Sequence, residues 1–397
     1  MIEGFNIVCF GPSDWWGMNP SCTTHIMRRL AKRNKVLYIN PFSSDLLAVT
    51  TSNGLMRRIV RKLKSISKFI RQPEEGLYVF SPVFLPIQGK QFIDATNDFL
   101  LKLQIKIVCT FLRMSKSILW VENLRAADTL GWFDAIITIY HVSDLFEECP
   151  YTGRKEILHR REQTLRDKSD VLVCVSKKLY ELNMVRGCNV LYLPHGVDFE
   201  LFQQAASNGR WPEELADIKR PIVGYYGTLT HHNDLESLLW CAEKLPDVSF
   251  VFAGETTDGD FSELMRQPNV YFLGKLPYER IPHLCACFDV CMLHWKMTEW
   301  IKYCNPLKMF EYMASGKPIV SVPIEEVMQY SDIISIASTK EQFPNAIQWE
   351  LQNDTPERAS KRIDIARQHS WDSHIERLSN IISEALKTKT RQETDLK

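Results

Sequence analysis

The stretch from Asn305 to Val320 constrains the architecture more than any other part of the chain. It reads as a short helix running directly into a buried strand, the joint of an α/β layer. Asn305 suits the N-cap, and Pro306 suits the first helical position, where its missing N–H costs nothing. Gly316 can take the left-handed conformation that ends a helix, and Ile319, Val320 and Val322 form the apolar strand beyond it. The start of such a helix presents free N–H groups and the positive end of a dipole, which is a seat for phosphate. Lys308 adds a point charge in the first turn. Glu311 lies one turn further in on the same face, where a carboxylate can accept both hydroxyls of a ribose whose phosphates sit on the helix start. An isolated pair at this spacing is more often a solvated ion pair. Here the cap, the proline, the base, the acid, the small-residue turn and the strand all point to a nucleotide.

The rest of the chain repeats that joint. Phe5 to Phe10 is a buried strand ended by Gly11-Pro12, Thr23 to Arg33 has helical spacing, and Val36 to Ile39 is a second strand. Strand, loop, helix and strand begin a parallel α/β sheet. The first loop lacks the G-x-G-x-x-G of a dinucleotide fold, which argues against an NAD enzyme. Trp15 and Trp16 in that loop either stack on a sugar ring or pack as a lid between domains. Further strands are expected at residues 77–80, 117–121, 134–140 and 170–175, with a long helix over 90–115 and Ser176 capping a helix over 177–184. His141 and Asp144 follow a strand, at the edge where open α/β sheets bind ligands. Asp144 is placed to act as a base on an acceptor hydroxyl, or to cap the next segment.

Residues 54–72 differ from their surroundings. Arg57, Arg58, Arg61, Lys62, Lys64, Lys68 and Arg71 occur with no acid before Glu74. Leu55, Ile59, Leu63, Ile66 and Ile70 fall on one helical face. A basic amphipathic helix of this kind fits the surface of an anionic membrane, with Arg57, Arg58, Arg61 and Lys62 as contacts. An ordinary charged surface helix would carry compensating acids. No aromatic platform or groove-reading motif accompanies the patch, so nucleic acid is not expected as a partner.

A length of 397 residues allows two domains, and a formal net charge of zero means the chain as a whole is no polyanion binder. The 11 cysteines are scattered, mostly in apolar runs such as those of Cys9, Cys109, Cys174 and Cys241, as expected of buried free thiols in a reducing compartment. Cys285, Cys287 and Cys291 lack a second ligand pair, so no metal is expected there. Residues 1–10 show no basic start before a long apolar core, so a secretory signal is not expected. No run approaches the ~18 apolar residues of a membrane span. The expected location is cytoplasmic, peripheral at the inner face of the membrane.

In the second half, residues 203–220 read as a polar linker. The strand at Pro221 to Tyr226 runs into a small-residue loop, where Gly227 lets a phosphate approach the backbone closely. Further strands fall at residues 248–253, 269–273 and 289–293. Ser370-Trp371-Asp372 opens a terminal helix, and the charged tail from Lys387 is expected to be disordered.

Four stretches then carry a family resemblance: Pro194-His195-Gly196-Val197-Asp198, residues 221–234, the run from Asn269 to Tyr278, and residues 305–320. They resemble GT-B fold glycosyltransferases, the GT4-like group above all. The resemblance implies an α/β GT-B fold, with two Rossmann-like domains of parallel sheet facing across a cleft. It implies an acceptor domain over residues 1–200, a donor domain over 201–368, and a crossover helix and tail over 369–397 that return to the first domain. It implies that Glu311 binds the donor ribose as the second glutamate of an E-x7-E pattern, whose first glutamate is Tyr303 here. Gly227, Thr228, Asn305, Pro306, Leu307 and Lys308 would hold the diphosphate, and the backbone at Leu276 would lie beside the base. His141 would face the transferred sugar.

The reaction implied is metal-independent transfer from a nucleotide-diphospho-sugar, a co-substrate rather than a cofactor. The acceptor would be a glycan or lipid-linked acceptor of cell-surface polysaccharide synthesis, with Lys308 and fixed dipoles stabilising the leaving diphosphate. The GT4 likeness implies retention of configuration. Tyr303 and Asp144 leave inversion open. Tyr303 also leaves open a non-catalytic GT-B scaffold subunit, and the same fold serves nucleotide-sugar epimerases.

Overall fold

The computed structural model describes residues 1–16, 19–41, 69–84, 91–148, 155–184, 189–209 and 211–395. The chain divides into two units, one of Met1–Leu193 with His374–Lys397 and one of Pro194–Ser373.

The first unit is built on an eight-stranded sheet of β1 (Asn6–Phe10), β2 (Lys35–Ile39), β3 (Ile70–Glu74), β4 (Leu77–Phe80), β5 (Ser117–Val121), β6 (Ala135–Val142), β7 (Val171–Cys174) and β8 (Asn189–Tyr192). Their order is β3-β4-β2-β1-β5-β6-β7-β8. Every pairing is parallel except β3 with β4. Val8, Cys9, Phe10, Leu37, Tyr38 and Leu119 are buried, as expected of strands covered on both faces. The strand order reverses between β1 and β5, which makes the loops after those two strands the place where such sheets bind ligands.

Part of the basic segment departs from its expected helix. Ile70–Glu74 is an edge strand, with Ile70 opposite Phe80 and Glu74 opposite Leu77. Pro73 biases Gln72 away from helical backbone, and Gly76, at φ 74, makes the turn into β4. Arg57, Arg58, Arg61 and Lys62 lie outside the described residues.

The second unit carries a six-stranded, all-parallel sheet: β9 (Ile222–Tyr226), β10 (Ser249–Ala253), β11 (Val270–Phe272), β12 (Val290–Leu293), β13 (Ile319–Ser321) and β14 (Ser335–Ile336). The order is β11-β10-β9-β12-β13-β14, with its reversal between β9 and β12. The expected linker at residues 203–220 is part of this unit instead. The helix Phe199–Asn208 buries Phe202, and Leu215 and Ile218 join the same core. Polar composition hid these few large anchors.

The two ends of the second unit are tied to each other. Val197 N–H donates to His369 O at 3.0 Å, and Trp371 N–H donates to Val197 O at 3.0 Å. A side chain at Gly196 would meet the Trp371 ring at 2.7 Å, so only glycine fits there. The last helix, Trp371–Asp395, continues through the tail expected to be disordered. Its charged residues are good helix formers, and Lys389 Nζ pairs with Asp170 Oδ2 at 2.9 Å.

Candidate functional site

The candidate donor site is assembled at the reversal of the second sheet. The helix Leu307–Ala314 begins one residue later than its sequence suggests, with Pro306 in extended backbone as the cap. Asn305 is buried, and its side-chain amide donates to Glu326 Oε2 at 3.4 Å instead of capping the helix. The helix ends in a Schellman turn: Lys317 N–H reaches Tyr312 O and Gly316 N–H reaches Met313 O, with Gly316 at φ 71. The turn feeds β13 directly. Leu307 and Lys308 are half-buried in the first turn, where backbone N–H groups have no intrahelical acceptor.

Lys308 reaches across to the loop after β9. Its Nζ lies 5.5 Å from the Tyr225 ring, 5.6 Å from Tyr226 and 5.5 Å from Trp295, and it forms no ion pair among the described residues. The rings hold the ammonium by cation–π attraction and leave its charge unneutralised. Gly227, at φ 128, lies beneath it, and a Cβ there would sit 2.5 Å from Lys308 Cε. Gly254 in turn backs onto Gly227, since a Cβ at 254 would lie 1.9 Å from Gly227 O. The two loops are therefore at closest approach, and Thr228 is exposed at their rim.

Below the lysine lies a polar pair that the sequence reading missed. Asn233 accepts from Thr230 N–H through Oδ1 at 2.8 Å, so its amide nitrogen faces His294 Nε2 at 3.2 Å and donates to it. Burial, and then the charge of Lys308, lower the His294 pKa to about 3, so the ring is neutral. Of Lys308 and His294, only Lys308 carries charge.

Glu311 is buried one turn deeper. Tyr278, half-buried just past the turn that holds Leu276, donates its hydroxyl to Glu311 Oε1 at 3.1 Å. Oε2 is buried with no hydrogen-bond partner among the described residues. Burial, and then the negative charge of Asp198, hold the Glu311 carboxyl well above the usual range. An acceptor oxygen left open beside a clamped one suits a ligand that brings hydroxyl donors.

In the first unit, the reversal between β1 and β5 holds a second buried cluster. His141, in β6, is buried with Glu122, the residue after β5, and with Thr23 in the first turn of the Cys22–Ala31 helix. Thr23 donates its hydroxyl to Glu122 Oε2. His141 Nδ1 lies 3.3 Å from the same oxygen and 3.1 Å from Thr23 Oγ1, which makes it the donor to both. Burial alone would raise the Glu122 pKa. The charge of His141 and hydrogen bonds from His141, Thr23 and Ser143 outweigh it and bring the carboxyl below its ordinary value. Glu122 and Thr23 carry no motif, and the only sequence signal was a carboxylate directly after an apolar run. Asp144 is half-buried just past β6. Trp15 packs against Tyr38 at 5.0 Å between ring centroids, with the Arg28 guanidinium 5.2 Å above it. Trp16 is half-buried, its N–H donating to Asp14 Oδ1 at 2.9 Å.

Two doubly wound sheets, each with its ligand-binding edge at the strand reversal, define a GT-B chain. Solved structures carry the same fold over nearly the whole length. Anabaena HepE in complex with UDP-glucose superposes with a TM-score of 0.66 at 16% identity, covering 96% of this chain and 100% of that one. Sucrose-phosphate synthase from Thermosynechococcus elongatus gives 0.67 at 13% identity, covering 98% and 100%. Residues 220–353, within the second unit, match the family "Glycosyl transferases group 1". A protein of Bacillus subtilis (strain 168) named "Putative teichuronic acid biosynthesis glycosyltransferase TuaH" is 28% identical over 210 residues, 48% of this chain. The chain spans about half the length of that curated relative, 52%.

Proposed function

We propose that this chain is a glycosyltransferase that moves a sugar from a nucleotide-diphospho-sugar to a glycan or lipid-linked acceptor in cell-surface polysaccharide synthesis, with retention of configuration. The observation that carries the reading is the pairing of an unneutralised Lys308 over Gly227 with a buried Glu311 whose Oε2 is open. The diphosphate lies on Lys308, the first turn at Leu307 and the loop at Gly227 and Thr228. The ribose hydroxyls donate to Glu311, and the base lies beside Leu276. Lys308 and the helix start stabilise charge on the leaving diphosphate, and no step calls for a metal. The relative named for teichuronic acid biosynthesis supports a cell-surface product, and HepE, solved with UDP-glucose, makes that compound the first donor to test.

The acceptor side falls to the first unit, with His141, Asp144, Trp15 and Trp16 as its candidate residues. The protein acts in the cytoplasm at the inner face of the membrane, helped by the basic stretch around Arg57 to Lys68. No helix among the described residues is long and apolar enough to cross a bilayer.

A thermal-shift screen of UDP, GDP, ADP and their sugars tests the donor assignment, because a ligand that binds only the folded state raises the midpoint. The expected result is a shift with one diphosphate that Lys308→Ala and Glu311→Ala abolish while both variants remain folded. A shift that survives both substitutions overturns it. Transfer to acceptor with the product anomer read by NMR then separates an active transferase from a scaffold or an epimerase.

A further inference from the structure

The helix Gln91–Phe111 in the first unit is apolar on both sides. Leu101, Ile105 and Val108, with Leu112 just past the helix end, are buried. The opposite face carries Phe99, Leu103, Ile107 and Phe111, at 66%, 44%, 56% and 76% exposed. Their spacing of four lines them up along one stripe over three turns. An ordinary surface helix is polar on its outward side, so a row of large apolar side chains there marks an interaction surface. The stripe is broadened at one edge by Val83, itself exposed. Gln104 clamps it by accepting from Val83 N–H at 2.9 Å and donating to Val83 O at 2.8 Å.

Charge decides what covers this face. From Phe99 to Val121 the chain contains Lys102, Lys106, Arg113 and Lys116 and no Asp or Glu, and Asp98 just before the stripe is paired with Arg125 at 3.4 Å. All four cations are exposed, and Lys102 and Lys106 alternate with the stripe at the positions just before Leu103 and Ile107. A second copy of the chain would bring the same cations against these, which opposes self-association. A bilayer with anionic headgroups meets both demands: acyl chains take the phenyl and aliphatic groups, and headgroup phosphates take the ammonium groups at the ends of their long stems.

We propose that the outward face of Gln91–Phe111 is a membrane-docking surface selective for anionic lipid, seated through Phe99, Leu103, Ile107 and Phe111. The proposal takes from the functional reading only that the acceptor is met at a bilayer, and it needs no nucleotide. It places the contact on a helix outside the basic stretch read from the sequence.

The test is co-flotation of the full chain with vesicles of phosphatidylglycerol and phosphatidylcholine in equal parts, against phosphatidylcholine alone. Wild type is expected to float with the anionic vesicles only. Phe99→Ser with Phe111→Ser removes the two most exposed rings and should weaken partition by on the order of tenfold or more. Its circular dichroism, and any UDP-induced thermal shift, should match wild type. Lys102→Glu with Lys106→Glu provides a second variant that leaves the apolar core untouched, and it should lose the preference for anionic vesicles. Flotation of the serine variant equal to that of wild type overturns the proposal. So does a wild-type dimer that the serine variant dissociates, because a second copy would then cover the face. Flotation lost in the serine variant, in a protein that shows no nucleotide shift, would leave the docking surface standing while the donor reading fell.

Discussion

Replacing Glu311 with methionine separates function from stability in opposite directions. The wild-type carboxyl is buried, clamped on one oxygen by Tyr278 and open on the other. Its pKa is raised, first by burial and then by Asp198. A raised carboxyl contributes its stability below the unfolded pKa and loses it as pH rises toward the folded value. Wild type therefore weakens relative to Glu311→Met as pH increases. Leaving a buried polar atom unpaired costs ~1–3 kcal/mol, so the variant should equal or exceed wild type by about that much at pH 8. The hydroxyl of Tyr278 loses its acceptor, which offsets part of the gain. Binding moves the other way. Two ligand hydroxyls on this acceptor contribute ~0.5–1.5 kcal/mol each, so nucleotide affinity should fall roughly 10–100-fold. Urea unfolding at pH 6 and pH 8, with calorimetric titration of the nucleoside diphosphate, reads both quantities. A variant that is less stable at both pH values, with unchanged nucleotide affinity, would refute the reasoning: Glu311 would then be a structural carboxylate.

Three further outcomes follow from the same geometry. Gly227→Ala meets Lys308 Cε at 2.5 Å and must hold φ near 128, so it should cost ~1–3 kcal/mol in thermal unfolding and lose nucleotide binding with it. Lys308→Met keeps the stem between the rings and removes the charge. Diphosphate affinity should fall roughly 10–100-fold while that of the free nucleoside, measured by calorimetry, holds. Glu122→Gln removes a buried carboxylate that accepts from Thr23 and His141 and should cost ~1–3 kcal/mol in denaturant unfolding. The folded Glu122 pKa is low, so its contribution is present above the unfolded carboxyl range and lost as pH falls through the folded value. The gap between variant and wild type should therefore narrow as pH falls from the ordinary carboxylate range toward the lowered folded value.

Much of this architecture was legible before any coordinates. The apolar runs at residues 5–10, 117–121, 221–226 and 248–253 announce buried strands because parallel sheets are covered on both faces. Ser176 does cap its helix, accepting from Leu179 N–H at 3.3 Å. Pro306 and Gly316 bracket the helix that bears Lys308 and Glu311, as their backbone preferences require. Reading failed where a distant contact outweighs local composition. Residues 203–220 look like a linker until Leu215 and Ile218 are seen in the core, and the charged tail is helical with Lys389 paired to Asp170.

Local chemistry in the chain decided where strands, caps and turns fall, because period, proline and glycine act within a few residues. It also singled out Lys308, Glu311 and Gly227 as candidates. Tertiary structure alone decided their environments. The rings of Tyr225, Tyr226 and Trp295 come from the ends of two different strands, and Tyr278 reaches Glu311 from another loop. Glu122, Thr23 and His141 come from three separate stretches and meet only when the sheet is closed. Burial and charge around a side chain are sums over neighbours far apart in sequence, and no local pattern encodes them.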